Sequence, residues 1–222
     1  MTLTKDSIYE PLNAPTNVMK QHFVEYFTGD TLDTFVWELN GNGATPHNTS
    51  GMKDTINGGY ELMPIATFNV QMTMGDIRQF NYNGSAFIAS VSGYLASGRN
   101  DFLWGFTGAE EWSGVPSGAQ SKACFKHDSG TGGFAGSCSQ GTGQTNTALA
   151  GAELTVYNNG WHVCKGETKA SSCEFSHAGV LGITITANLP DSKMQLGAEV
   201  RSNGGSTGSL SGSINYFEAW NT

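Results

Sequence analysis

Two long alternating runs near the end of the chain set the strongest limit on what it can fold into. Lys193–Arg201 reads KMQLGAEVR and Leu210–Trp220 reads LSGSINYFEAW, with a polar, glycine-rich segment, Ser202–Ser209, between them. Both alternate imperfectly between apolar and polar residues, the pattern of strands with one buried and one wet face. They are expected to form the last pair of strands. The middle of the chain reads the same way. SAFIASVSGY (Ser85–Tyr94), FLWGF (Phe102–Phe106) and VLGITITA (Val180–Ala187) are strand-like, the last through its β-branched residues. Trp104 is expected in the core.

Further strands are expected at His22–Phe27, Phe35–Leu39, Gly59–Met63, Ala66–Met72, Ile77–Tyr82, Cys124–Lys126, Phe134–Cys138 and Ser172–Phe175. A hairpin of Leu154–Tyr157 with Trp161–Lys165 is signalled by Asn159–Gly160. Gln140–Asn146 reads as a polar break. Twelve to fourteen strands with little helical signal predict an all-β fold. Two antiparallel sheets stacked as a β-sandwich bury one shared apolar layer. No internal repeat supports a propeller or solenoid.

A length of 222 residues suits one such domain. The expected division is an extended N-terminal arm over 1–21, where Pro11 and Pro15 resist a helix, and a sandwich over 22–222. The 30 glycines follow no three-residue period, so they mark turns and close backbone approaches rather than collagen. The formal charge is −8 and the basic residues do not cluster. Nucleic acid is therefore not an expected partner, because no positive strip faces phosphate. No run of about 18 apolar residues is present, so no membrane-inserted helix is expected. The opening residues lack the apolar stretch of a secretory signal. Either the protein stays in the cell where it is made, or it leaves by a route that needs no such signal, such as lysis and assembly into a virus particle. The expected location is the virion, or otherwise outside the cell after release.

Cys124, Cys138, Cys164 and Cys173 allow three pairings. The preferred one is Cys124 with Cys138 and Cys164 with Cys173, each closing a short loop; the alternative is four reduced thiols packed as small apolar groups. The histidines are scattered and no C-x-x-C knuckle occurs, so neither a metal nor another cofactor is expected.

The run HFVEYFTGDTLDTFVWELNGNG resembles the first strand and entry loop of concanavalin-A-like lectin/glucanase sandwiches. The later order, SAFIASVSGY, NDFLWGF, the Trp161 strand, KMQLGAEVR and SINYFEAW, is similar to theirs over about residues 22–220. The resemblance implies a jelly-roll sandwich of the kind also found in bacteriophage tail, fibre and decoration proteins. Hydrolases of this family bear an E-x-D-x-E or E-x-D-x-x-E strand, whose alternation sets the reacting carboxylates on a concave face. No such strand occurs here: Glu110 and Glu111 are adjacent, and Glu199 and Glu218 lie on separate strands.

The expected function is accordingly a non-enzymatic virion structural protein. Its expected partners are other virion proteins or further copies of itself, with attachment to a cell-surface glycan as an added role. The alternative is a carbohydrate-binding module or lectin, and then a polysaccharide hydrolase. Sugar sites combine an aromatic ring with amides and carboxylates. The expected carbohydrate-binding group is Trp112 with Glu110, Glu111 and Asn100; Trp161 with His162 is a weaker one.

Overall fold

A computed structural model describes residues 22–27, 33–41, 60–62, 70–74, 80–95, 100–108, 121–128, 133–149, 161–202 and 210–221. Fourteen strands lie within them: β1 (His22–Tyr26), β2 (Trp37–Gly41), β3 (Tyr60–Leu62), β4 (Val70–Met74), β5 (Ser85–Leu95), β6 (Asn100–Thr107), β7 (Lys122–Asp128), β8 (Gly133–Gln140), β9 (Gly143–Ala148), β10 (His162–Thr168), β11 (Cys173–His177), β12 (Val180–Ile185), β13 (Gln195–Ser202) and β14 (Leu210–Asn221). The described residues contain no helix. The first sheet runs β1-β14-β5-β10-β11-β12, with β3 also paired to β14; the second runs β2-β4-β13-β6-β7-β8-β9. All the strand pairings are antiparallel. The fold is the two-sheet sandwich expected. Residues 1–21, assigned to an arm, lie outside the described residues.

One core fills the space between the sheets. From the second sheet come Trp37, Met72, Leu196, Ala198, Val200, Phe102, Trp104, Phe106 and Phe125, and from the first Phe23, Phe87, Phe175, Ile214 and Phe217. Trp104 stacks on Phe125 with ring centroids 5.6 Å apart, and Phe134 meets it edge-on at 5.5 Å. Offset and edge contacts of this kind suit the ring quadrupoles. Asp33 shapes the entry to β2: its carboxylate accepts from the Phe35 N–H and its carbonyl from those of Val36 and Trp37. Phe35 thus lies in a turn and is 90% exposed, rather than starting a strand.

Several expectations are corrected. β13 and β14 do not pair; they belong to different sheets. The polar stretch Gln140–Asn146 is not a break, because Gly141, with φ of 55°, turns the chain straight into β9. β10 pairs with β5 and β11; residues 154–157, its expected partner, lie outside the described residues. Phe80 makes only an isolated bridge, to Met194.

All four cysteines are buried thiols, and the register of their strands rules out the two expected pairings. Ala123 stands opposite Cys138, and Cys124 opposite Ser137. Alternation therefore sends Cys138 into the core and Cys124 to the other face of the sheet, where it packs on Leu103. Cys164 stands opposite His177, and Cys173 opposite Thr168. That is four positions of offset, about 13 Å along the strands, too far for a disulfide.

Candidate functional site

The face of the second sheet that points away from the core is polar, and much of it is buried. Strand register lines its residues up in rows that cross the strands. A first row is Gln195, Thr107, Lys122, Ser139 and Gln144; a middle row is Thr73, Gly197, Gly105, Cys124 and Ser137; a third is Gln71, Glu199, Leu103, Lys126 and Ala135. Thr73, Ser137 and Ser139 are fully buried, and Glu199 is 1% exposed. Thr73 Oγ1 has no hydrogen-bond partner.

The middle row has a bare floor. Gly197 and Gly105 stand opposite each other at the centre of the sheet. Gly105 has a φ of 129°, and a Cβ there would point inward, 2.5 Å from the Phe87 ring. No side chain therefore rises from these two positions. From Thr73 to Ser137 the row spans about 19 Å, at about 4.8 Å per strand step. Ser137 Oγ accepts a hydrogen bond from Gln144 Nε2 at 3.0 Å.

The charges at this face centre on Glu199, Lys122 and Lys126, all of which act on Cys124. Burial pushes the Cys124 thiol up to about 11 despite the two lysines. It is therefore a protonated thiol at neutral pH and not a nucleophile. At one end of the rows Ser121 donates to Asp191 Oδ1 at 2.8 Å, and Gln140 Nε2 to Asp191 Oδ2 at 3.0 Å. These bonds, that from Gln140 first, hold the Asp191 carboxyl below the usual carboxylate range. They tie the approach to β13 onto the edges of β7 and β8.

The residues expected to bind carbohydrate are placed as follows. Asn100 opens β6 opposite Ser202, at the far end of the strand from Thr107. Seven residue steps along the strand separate them, about 23 Å. Glu110, Glu111 and Trp112 belong to the segment joining β6 to β7 and lie outside the described residues. His162 is drawn into a different cluster: its Nδ1 lies 3.0 Å from His177 Nε2, and its ring packs on Phe134. Glu218 lies on the outer face of the first sheet, where it accepts from the Tyr216 hydroxyl and contacts His22 Nε2 at 2.8 Å. Burial, then Glu218, raises the Tyr216 hydroxyl above its ordinary range. Glu199 was visible in the sequence only as an isolated acid. Its setting is made by neighbours on β4, β6 and β7, which no spacing along one strand reveals.

No family model and no curated protein matches the chain. Solved structures do. It is similar to a Bacillus licheniformis beta-glucanase, with a TM-score of 0.63 and 13% identity over 90% of this chain and 98% of that one. A Bacteroides ovatus mixed linkage glucan protein of glycoside hydrolase family 16, in complex with product, gives 0.67 and 11% over 89% and 99%. A Flavobacterium laminarinase gives 0.62 and 14% over 90% and 99%. These similarities overturn the expectation of a non-enzymatic virion, bacteriophage or decoration protein, because they run to glycoside hydrolases. The chain has the concanavalin-A-like jelly-roll sandwich of those glucanases, along nearly its whole length.

Proposed function

We propose that the chain acts on a β-linked glucan, held across the outer face of the second sheet, and hydrolyses it with Glu199 as one reacting carboxyl. The observation that carries this reading is the burial of Glu199. It is the one buried acidic side chain among the described residues, and it borders a glycine-floored row on a polar face. Gln71, Gln195, Thr107 and Ser139 offer amides and hydroxyls to a polyhydroxylated ligand, and the unpartnered Thr73 hydroxyl suits a sugar hydroxyl.

Glycoside hydrolysis requires a second carboxyl, about 5–5.5 Å away for retention or about 6.5–9.5 Å for inversion. Glu199 is the only acid on β13, which reads QLGAEVRS, so the pair does not come from that strand in the E-x-D-x-E manner. We assign the second role to Glu110 or Glu111, which lie between β6 and β7 in sequence, and the sugar-stacking role to Trp112. The test is release of reducing ends from mixed-linkage β-glucan and from laminarin, alongside binding by affinity electrophoresis. Glu199→Gln should retain binding and lose about 10²–10⁴-fold in rate. Trp112→Ala should weaken binding. A wild-type chain that binds without cleaving removes the hydrolytic half of the reading; one that does neither, or undiminished cleavage by Glu199→Gln, overturns the assignment.

A further inference from the structure

Strands β8 and β11 belong to opposite sheets and face each other across the core. Two contacts in register show this. The Phe175 ring lies against the backbone of Gly136, so closely that a Cβ at Gly136 would be 2.6 Å from its Cδ2. Two residues further along β8, and two back along β11, the Cys138 and Cys173 thiols are hydrogen-bonding neighbours. Period-two alternation puts Gly136 and Cys138 on one face, and Phe175 and Cys173 on the face opposite. The absence of a side chain at Gly136 lets the sheets approach there, which brings the two sulfurs together. They are 0% and 1% exposed.

We propose that Cys138 and Cys173 are a disulfide-forming pair that covalently joins the two sheets, while Cys124 and Cys164 remain thiols. The reaction is thiol–disulfide exchange with a small disulfide such as oxidised glutathione. The thiolate of Cys138 attacks one glutathione sulfur and expels the other half as a thiolate, leaving a mixed disulfide. The thiolate of Cys173 then attacks the Cys138 sulfur and expels the second glutathione thiolate. One S–S bond is formed in the protein and one is broken in the oxidant. The two cysteine protons go to solvent, and the two electrons leave with the glutathione thiolates. The step belongs to folding, before the core closes. In the folded, reduced chain the hydrogen bond to Cys173 and then burial raise the Cys138 thiol well above its ordinary range, which leaves little thiolate to react. Cys124 has no cysteine facing it across the core, since it lies on the outer face of its sheet.

The test is to refold the full chain in a buffer of reduced and oxidised glutathione, block free thiols with iodoacetamide in denaturant, and map the peptides without reduction. The expected result is a Cys138–Cys173 cross-linked peptide, with Cys124 and Cys164 alkylated. The Cys124→Ser, Cys164→Ser double variant should keep the cross-link, and its denaturation midpoint should fall on adding dithiothreitol. Cys173→Ala should leave Cys138 alkylated or glutathionylated. Cross-links from Cys124 to Cys138 or from Cys164 to Cys173, or complete alkylation of all four after refolding, would overturn the proposal. Peptide mapping of the refolded wild-type chain decides between these outcomes even where a core variant fails to fold.

Discussion

Phe87 shows how single residues fix the spacing of the sheets. Its ring lies in a notch between Gly105 of the second sheet and Gly166 of its own neighbouring strand. A Cβ at Gly105 would approach it to 2.5 Å, and one at Gly166 to 2.3 Å. Gly166→Ala should therefore overpack the core and cost about 1–3 kcal/mol, read as a lower urea midpoint at unchanged m-value. Gly105→Ala adds the strain of a left-handed φ, about 1–3 kcal/mol more. Equal stability of wild type and Gly105→Ala would show that the notch is not needed. Phe102, Trp104 and Phe106 were legible as core because each sits in an alternating run. The notch was not, because Phe87, Gly105 and Gly166 meet only once both sheets exist. Glu199 was hidden for the same reason.

At the scale of elements, imperfect alternation had a specific cause. In β14 the register shifts between Ile214 and Tyr216, so Ile214 and Phe217, three apart, both face the core. A bulge of this kind breaks a period-two pattern without ending the strand. Sequence order also suggested that β13 and β14 pair, but a glycine-rich connection is equally able to carry the chain from one sheet to the other. At the β10–β11 pairing, His162 and His177 share a hydrogen bond beside Phe134. Burial, and then the charge of His177, hold the His162 pKa below its ordinary 6.5. A histidine depressed in this way is bound by more protons in the unfolded chain than in the folded one. Its contribution is complete above the unfolded value and is lost as the pH falls through 6.5 toward the folded one. Urea midpoints taken between about pH 8 and pH 5 should fall on acidification, and His177→Gln should make that fall shallower. A variant slope equal to the wild-type slope would remove the pair from the cause.

For the whole molecule, the sandwich was legible because two-sided burial leaves a period-two imprint on nearly every strand. The topology was not, since which strand neighbours which depends on contacts remote in sequence. β14 is the clearest case. It is the last strand, yet it holds β1 and β3 along one edge and β5 along the other. It also supplies Ile214, Phe217 and Ala219 to the core shared by both sheets. Removing it exposes the edges of three strands and withdraws an isoleucine and a phenylalanine, worth about 1.5–3 kcal/mol each. The lost ladder bonds add about 0.5–1.5 kcal/mol apiece. Together these losses meet or exceed the whole stability of an ordinary domain, about 5–15 kcal/mol. Truncation after residue 209 should therefore abolish cooperative folding rather than lower the melting temperature. The second sheet should be lost too, because Phe102 and Val200 rest against Gly212 of the missing strand. Near-ultraviolet circular dichroism reads this directly through the buried tryptophans Trp37 and Trp104, both in the second sheet. A truncated chain that kept their signal and melted sharply would mean that each sheet holds its own core.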